Sequence, residues 1–238
     1  MTTDMKSTLA AQIEVEEGTD VAAVSRRAQA QAAKRRQILD AAQTVFKRLG
    51  YDGASMNDIA LEARVSKPTL YVYFDNKEAL FAALIDDLKS GQPERIFATL
   101  DPDNPDVRAA LVAFGLELMR KLTRPDHMAL IRLVTGAAEK FPNIGRMLFD
   151  AGPRRGIESV GAYLEEQARR GRLRVADKEL AACHLLDLVQ SKYFRQLMFH
   201  VIEQPTEQEL DYSVKLGVEV FMAAYGVAHQ PGEGRDSS

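Results

Sequence analysis

A chain of 238 residues, 46% apolar and 27% charged, is long enough to bury a core and to hold one or two compact units. Its net charge of −3 excludes a strongly basic nucleic-acid coat but leaves room for a locally basic face. A single cysteine, Cys183, excludes an intramolecular disulfide, and no apolar run has the length of a membrane span or of a signal-peptide core, so a soluble cytoplasmic protein without a membrane partner is expected.

Residues 1–28 read as a tail. Thr, Ala, Gln, Glu and Asp mix there without a sustained apolar period, which suits a flexible segment or a helical extension. From Arg26 to Arg48 the composition shifts to Arg26, Arg27, Lys34, Arg35, Arg36, Lys47 and Arg48 against the single acid Asp40. Within this basic stretch Ile38, Ala41, Ala42, Val45, Phe46 and Leu49 recur at helical spacing, and the amphipathic helix they make ends near Gly50. Three short helix signals follow. Ser55 with Asp58 reads as a capping box, Ser66 caps a helix with Pro68 in its first turn, and Asp75 with Glu78 opens a longer helix through Leu80, Phe81, Leu84, Ile85 and Leu88. Gly91, Pro93, Asp101, Pro102 and Pro105 then break the pattern.

The rest is helical. One stripe joins Ala110, Leu111, Phe114, Leu118 and Leu122; Met128, Ile131 and Leu133 begin another; Ile157, Val160, Leu164 and Ala168 run to a stop at Gly171. Asp177 is expected to cap a helix reaching His200, and Thr206 with Glu209 to open the last one. No segment alternates with the period of a strand, so the fold class is all-α. The expected organisation is a helix-turn-helix domain over 29–78, a ligand-binding and dimerisation domain over 79–228, and a flexible tail over 229–238.

Two short helices joined by a tight turn suit a reader of the DNA major groove, because a helix fits the groove and its first residues face the base edges. Residues 65–74 read VSKPTLYVYF and are followed by DNKEAL. Together with Ile38, Ala41, Ala42, Phe46, Gly50, Tyr51, Ile59, Ala60, Lys77, Glu78 and Leu80, this stretch closely resembles the DNA-binding domain of the tetracycline-repressor (TetR) family. The resemblance covers about Lys34 to Leu88. It departs at Arg64, where the family's turn has glycine; a left-handed backbone at a non-glycine residue costs about 1 kcal/mol. The resemblance implies that Lys67, Pro68, Thr69 and Tyr71 meet bases or adjacent phosphates, and that Tyr73 and Lys77 grip phosphate. It further implies that Ser55 and Asn57 touch the DNA backbone or a flanking base, and that Lys34, Arg35 and Arg36 extend onto phosphate or into the minor groove.

Residues 132–200 are similar to the AefR-like subgroup of C-terminal domains, through Ala138 to Pro142, Ala151 to Pro153, Leu164 to Leu173 and Glu179 to Ala182. That likeness implies a regulator responding to a small molecule. An apolar or aromatic effector would need apolar walls with a few polar groups, for which the candidates are Phe114, Leu118, Met119, Leu122, Met128, Ile131, Phe149, Tyr163, His184, Leu188 and Tyr193; plain core packing is the alternative for each. Leu210, Val214, Gly217, Phe221 and Ala224 form a seam that would pack against a second copy, and a homodimer would set two reading helices about one turn of operator DNA apart. The helix starting near Asn76 joins the reading head to the pocket.

Three other readings compete. An enzyme finds no support: His127, His184, His200 and His229 fall at no zinc-protease spacing, and neither a nucleophile elbow nor a phosphate-binding glycine loop occurs. Cys183 and His184 are adjacent on a helix and point about 100° apart, against a cooperating pair. No cofactor and no metal are expected. A helical protein that offers its basic face to acidic partners is the second rival, distinguished by whether binding survives competitor DNA. Transcriptional activation by the same fold is the third.

Overall fold

The computed structural model describes the backbone of residues 4–89 and 96–227, and the side chains of 26–86 and 96–227. The chain divides into two compact units, Met1–Leu84 and Ile85–Ser238. The expected tail over 229–238 and the breaks at Gly91 and Pro93 lie outside the described residues.

The first unit holds α1 (Asp4–Gly53), α2 (Met56–Glu62), α3 (Lys67–Tyr73) and the start of α4 (Lys77–Lys89). The backbone is helical from Asp4, and α1 is interrupted at Gly50, where φ is 72° and ψ 170°. Ile38, Ala42, Val45 and Phe46 of α1 are fully buried with Ile59 of α2, Leu70 of α3 and Leu80 and Phe81 of α4. At the centre Phe46 stacks on Tyr51 at 5.6 Å, and both meet the Phe81 ring edge-on at 5.2 and 5.0 Å. The Ser55–Asp58 capping box forms at the head of α2, and the Ser66 side chain caps α3. At α4 the cap differs from the one expected. Asn76 Oδ1, not Asp75, accepts from the Ala79 amide at 2.7 Å.

The turn between α2 and α3 is a Schellman motif. Val65 N–H donates to the Ala60 carbonyl at 3.0 Å and Arg64 N–H to the Leu61 carbonyl at 3.1 Å. Arg64 takes the left-handed position with φ 52°.

The second unit packs α5 (Val107–Leu122), α6 (Pro125–Ala137), α7 (Pro142–Ala151), α8 (Pro153–Arg169), α9 (Lys178–Gln190), α10 (Tyr193–Met198) and α11 (Glu207–Tyr225). Leu111 and Phe114 of α5, Val160 and Leu164 of α8, Leu185 of α9 and Val214, Val218 and Phe221 of α11 are fully buried in one core. Small residues let these helices close up. A Cβ on Gly115 would stand 2.6 Å from Val214 Cγ1, and one on Gly217 would stand 2.8 Å from the Leu188 carbonyl oxygen. Gly171, at φ 72°, ends α8 as its sequence position suggests. The helix expected from Asp177 to His200 instead breaks after Gln190, and α10 resumes at Tyr193. Among the described residues the strand content is one isolated antiparallel bridge, Leu173 to Gly226. No helix among them is long and apolar enough to cross a membrane.

Candidate functional site

On α3 the inward residue is Leu70, fully buried, while Lys67, Pro68 and Tyr71 are exposed and Thr69 and Tyr73 half-buried. The helix therefore presents a continuous outer face from its first residue. Thr69 is partly committed: its hydroxyl lies 2.7 Å from Ser66 Oγ, within the cap that starts the helix. Ser55 is likewise a capping residue, and Asn57 beside it is exposed. Gln37 Nε2 donates to the Ala63 carbonyl at 2.7 Å, pinning the turn before α3 to α1.

The basic residues of α1 differ in how free they are. Lys34 is half-buried and donates to Gln37 Oε1 at 3.0 Å, Arg35 lies 5.4 Å above the Phe74 ring, and Arg36 pairs with Asp40 at 3.0 Å across exposed surface. An exposed ion pair such as Arg36–Asp40 adds little to stability.

Lys77, expected to grip phosphate, is engaged within the reading unit. Its ammonium donates to the carbonyls of Tyr51 at 2.7 Å, Ala54 at 2.9 Å and Asp52 at 3.4 Å, and sits 4.4 Å from the centre of the Tyr51 ring. The cause is the break at Gly50: carbonyls past it lose their helical partners, and an ammonium with three donors satisfies them.

Of the residues expected to line an effector pocket, Phe114, Met119, Tyr163 and Tyr193 are buried in the core of the second unit, with Leu118, Leu122 and Leu188 packed against it. Met128 is buried and Ile131 half-buried on α6, while Phe149 is 44% exposed beneath Arg154. His184 and Leu188 do line an open cavity of about 720 Å³, together with Asp187, Phe194, Arg195, Val220 and Tyr225 among others. His184 Nδ1 lies 2.6 Å from the Tyr225 hydroxyl. The Tyr163 hydroxyl is buried without a hydrogen-bond partner among the described residues, and burial pushes its pKa up to about 12. No group of His, Cys, Asp and Glu side chains among the described residues gathers with the geometry to hold a metal.

The seam expected to face a second copy needs correction. Leu210, Val214 and Phe221 are buried inside the protomer, and Gly217 is pressed against the backbone of α9; only Ala224 is exposed. The outward face of α11 carries Tyr212, Leu216 and Val220, at 65%, 43% and 56% exposure. That second stripe recurs in the sequence at a spacing of four, one face round from the first.

A capped helix-turn-helix on a three-aromatic core, followed by an all-helical unit, defines a helix-turn-helix DNA-binding regulator. Comparison with known proteins agrees. Residues 38–84 match the family model of bacterial regulatory proteins of the tetR family, and residues 109–227 match that of the AefR-like transcriptional repressor C-terminal domain. The chain belongs to the TetR family of transcriptional regulators. It is 29% identical over 162 residues to the HTH-type transcriptional regulator YhgD of Bacillus subtilis, covering 65% of this chain and 80% of that protein. A solved TetR-family regulator from Mesorhizobium loti superposes with a TM-score of 0.72 at 30% identity, covering 82% of this chain and 98% of its own. The flavonoid-responsive regulator FrrA superposes with a TM-score of 0.69 at 27% identity, covering 83% of this chain and all of its own.

Proposed function

We propose that the chain is a cytoplasmic, non-enzymatic homodimeric repressor that binds a near-palindromic operator and is released from it by a small apolar or aromatic molecule. The observation that carries the reading is the outer face of α3, where Lys67, Pro68 and Tyr71 stand exposed above a fully buried Leu70. A helix so held can enter the major groove without disturbing its own core. Lys67, Thr69 and Tyr71 are assigned to bases or adjacent phosphates and Tyr73 to phosphate, with Ser55 and Asn57 on the neighbouring backbone. Lys34, Arg35 and Arg36 add a flanking electrostatic grip.

Repression is supported by the description of the C-terminal family model, and an aromatic effector by FrrA, whose name records a flavonoid response. A dimer through α11 is supported by the exposed apolar stripe Tyr212, Leu216 and Val220. An effector that prefers a dimer with mis-spaced reading helices shifts the population off DNA; a 100-fold loss of affinity needs about 2.7 kcal/mol of differential binding.

Selection of bound duplexes from a random-sequence pool tests the proposal. The expected product is one enriched site with two inverted half-sites about one helical turn apart, bound by two chains. Retention of all sequences alike, abolished by competitor DNA, would replace it with a generic polyanion-binding surface.

A further inference from the structure

The outer face of α3 holds a residue that neither helix chemistry nor folding requires there. Val72 is 81% exposed. At about 100° per residue it projects some 160° away from Leu70, the residue that anchors α3 to the core. A β-branched residue lowers the stability of an exposed helix position, and Val72 recovers nothing by burial. It does not stand alone. Among the described residues of the Met1–Leu84 unit four large apolar side chains are exposed, Leu49, Leu61, Tyr71 and Val72, and two of these are neighbours on α3.

A protruding isopropyl group in the major groove has one prominent apolar partner. The base edges there offer hydrogen-bond donors and acceptors, and the sole methyl group among them is the C5-methyl of thymine. We infer that Val72 is a specificity-determining residue, reading the methyl group of one thymine in each half-site of the operator. Val72 lies five residues beyond Lys67, about 7.5 Å along the helix, so the thymine it covers belongs to a different base pair from the one Lys67 meets. The inference rests on the DNA-binding reading above.

The test removes the methyl and nothing else. A duplex recovered by random-sequence selection with the full chain is resynthesised with each thymine replaced in turn by deoxyuridine, and its affinity is measured by fluorescence anisotropy. The wild-type chain should lose about fourfold at one thymine per half-site, the factor for withdrawing one methyl from apolar contact, and about fifteenfold when both half-sites are changed. Val72→Ala should bind the thymine and uracil duplexes equally, at the weaker level. Val72→Thr, which keeps the shape but not the apolar surface, should discriminate less than wild type. Both variants change an exposed side chain, and far-UV circular dichroism verifies their fold. Tight operator binding indifferent to every thymine methyl, or undiminished discrimination by Val72→Ala, overturns the inference while leaving the DNA-binding reading intact. Recovery of no sequence at all overturns both.

Discussion

The ammonium of Lys77 stands 2.7 Å from the carbonyl oxygen of Tyr51 and 4.4 Å from the centre of that residue's ring. One side chain thus closes the broken end of α1 onto the start of α4. A residue that the family resemblance assigns to DNA thus also fastens the reading unit.

Removing that fastening should therefore cost stability before it costs phosphate contact. Lys77→Ala leaves the carbonyls past Gly50 without their charged donor, and a loss of about 2 kcal/mol is expected in urea denaturation. Unchanged stability with weakened DNA binding would return Lys77 to the phosphate role.

Arg64→Gly should do the reverse. Glycine relieves the left-handed backbone at φ 52° and should stabilise the chain by up to about 1 kcal/mol, less what the unfolded chain gains in freedom. The removed guanidinium stands two residues before the cap of α3, and operator affinity should fall with a shallower dependence on salt. A destabilised variant would mean that the Arg64 side chain holds the turn.

The two faces of α11 make separate demands. Gly217→Val drives side-chain atoms into the Leu188 carbonyl and should destabilise the protomer by about 1–3 kcal/mol. Val220→Glu, on the exposed stripe, should leave the protomer's fold intact but give monomers in sedimentation velocity, with operator affinity falling accordingly. A dimeric Val220→Glu would move the interface elsewhere.

Burial, aided by Lys121, lowers the pKa of His127 from 6.5 to about 4. As pH falls the unfolded chain takes up this proton first, so stability should decline from about pH 6.5 to about pH 4 and level off below. For a partly exposed ring the total is about 2 kcal/mol. Urea midpoints across this range should show the decline, and His127→Gln should flatten it; a slope equal in both proteins would assign the decline to carboxylates.

Local chemistry was legible in the sequence, and choices made at long range were not. The capping boxes Ser55–Asp58 and Thr206–Glu209 form because each is complete within four residues. The cap of α4 falls one residue beyond Asp75, because Asp75 and Asn76 are both good caps and only the backbone path selects between them. On α11 two apolar stripes lie side by side, and periodicity cannot say which one faces α5 and α9. The Lys77 contacts join positions 26 residues apart, across a break whose only local sign is Gly50. The break after Gln190 has no proline or glycine to mark it. On α3 the exposure of Val72 has no sign in the sequence, because an apolar residue in a short helix reads as core.

Reading of operator DNA through α3 is measured most directly by the fluorescence anisotropy of a labelled, selected operator with wild type and Tyr71→Ala, in excess competitor DNA at two salt concentrations. Tyr71 is exposed, so its loss should leave the fold unchanged. Wild type should bind tightly as two chains per site, more weakly at high salt, and Tyr71→Ala should lose the preference for the operator while keeping the salt-dependent, non-specific binding. Equal operator preference in the two proteins would contradict the account and place recognition outside α3.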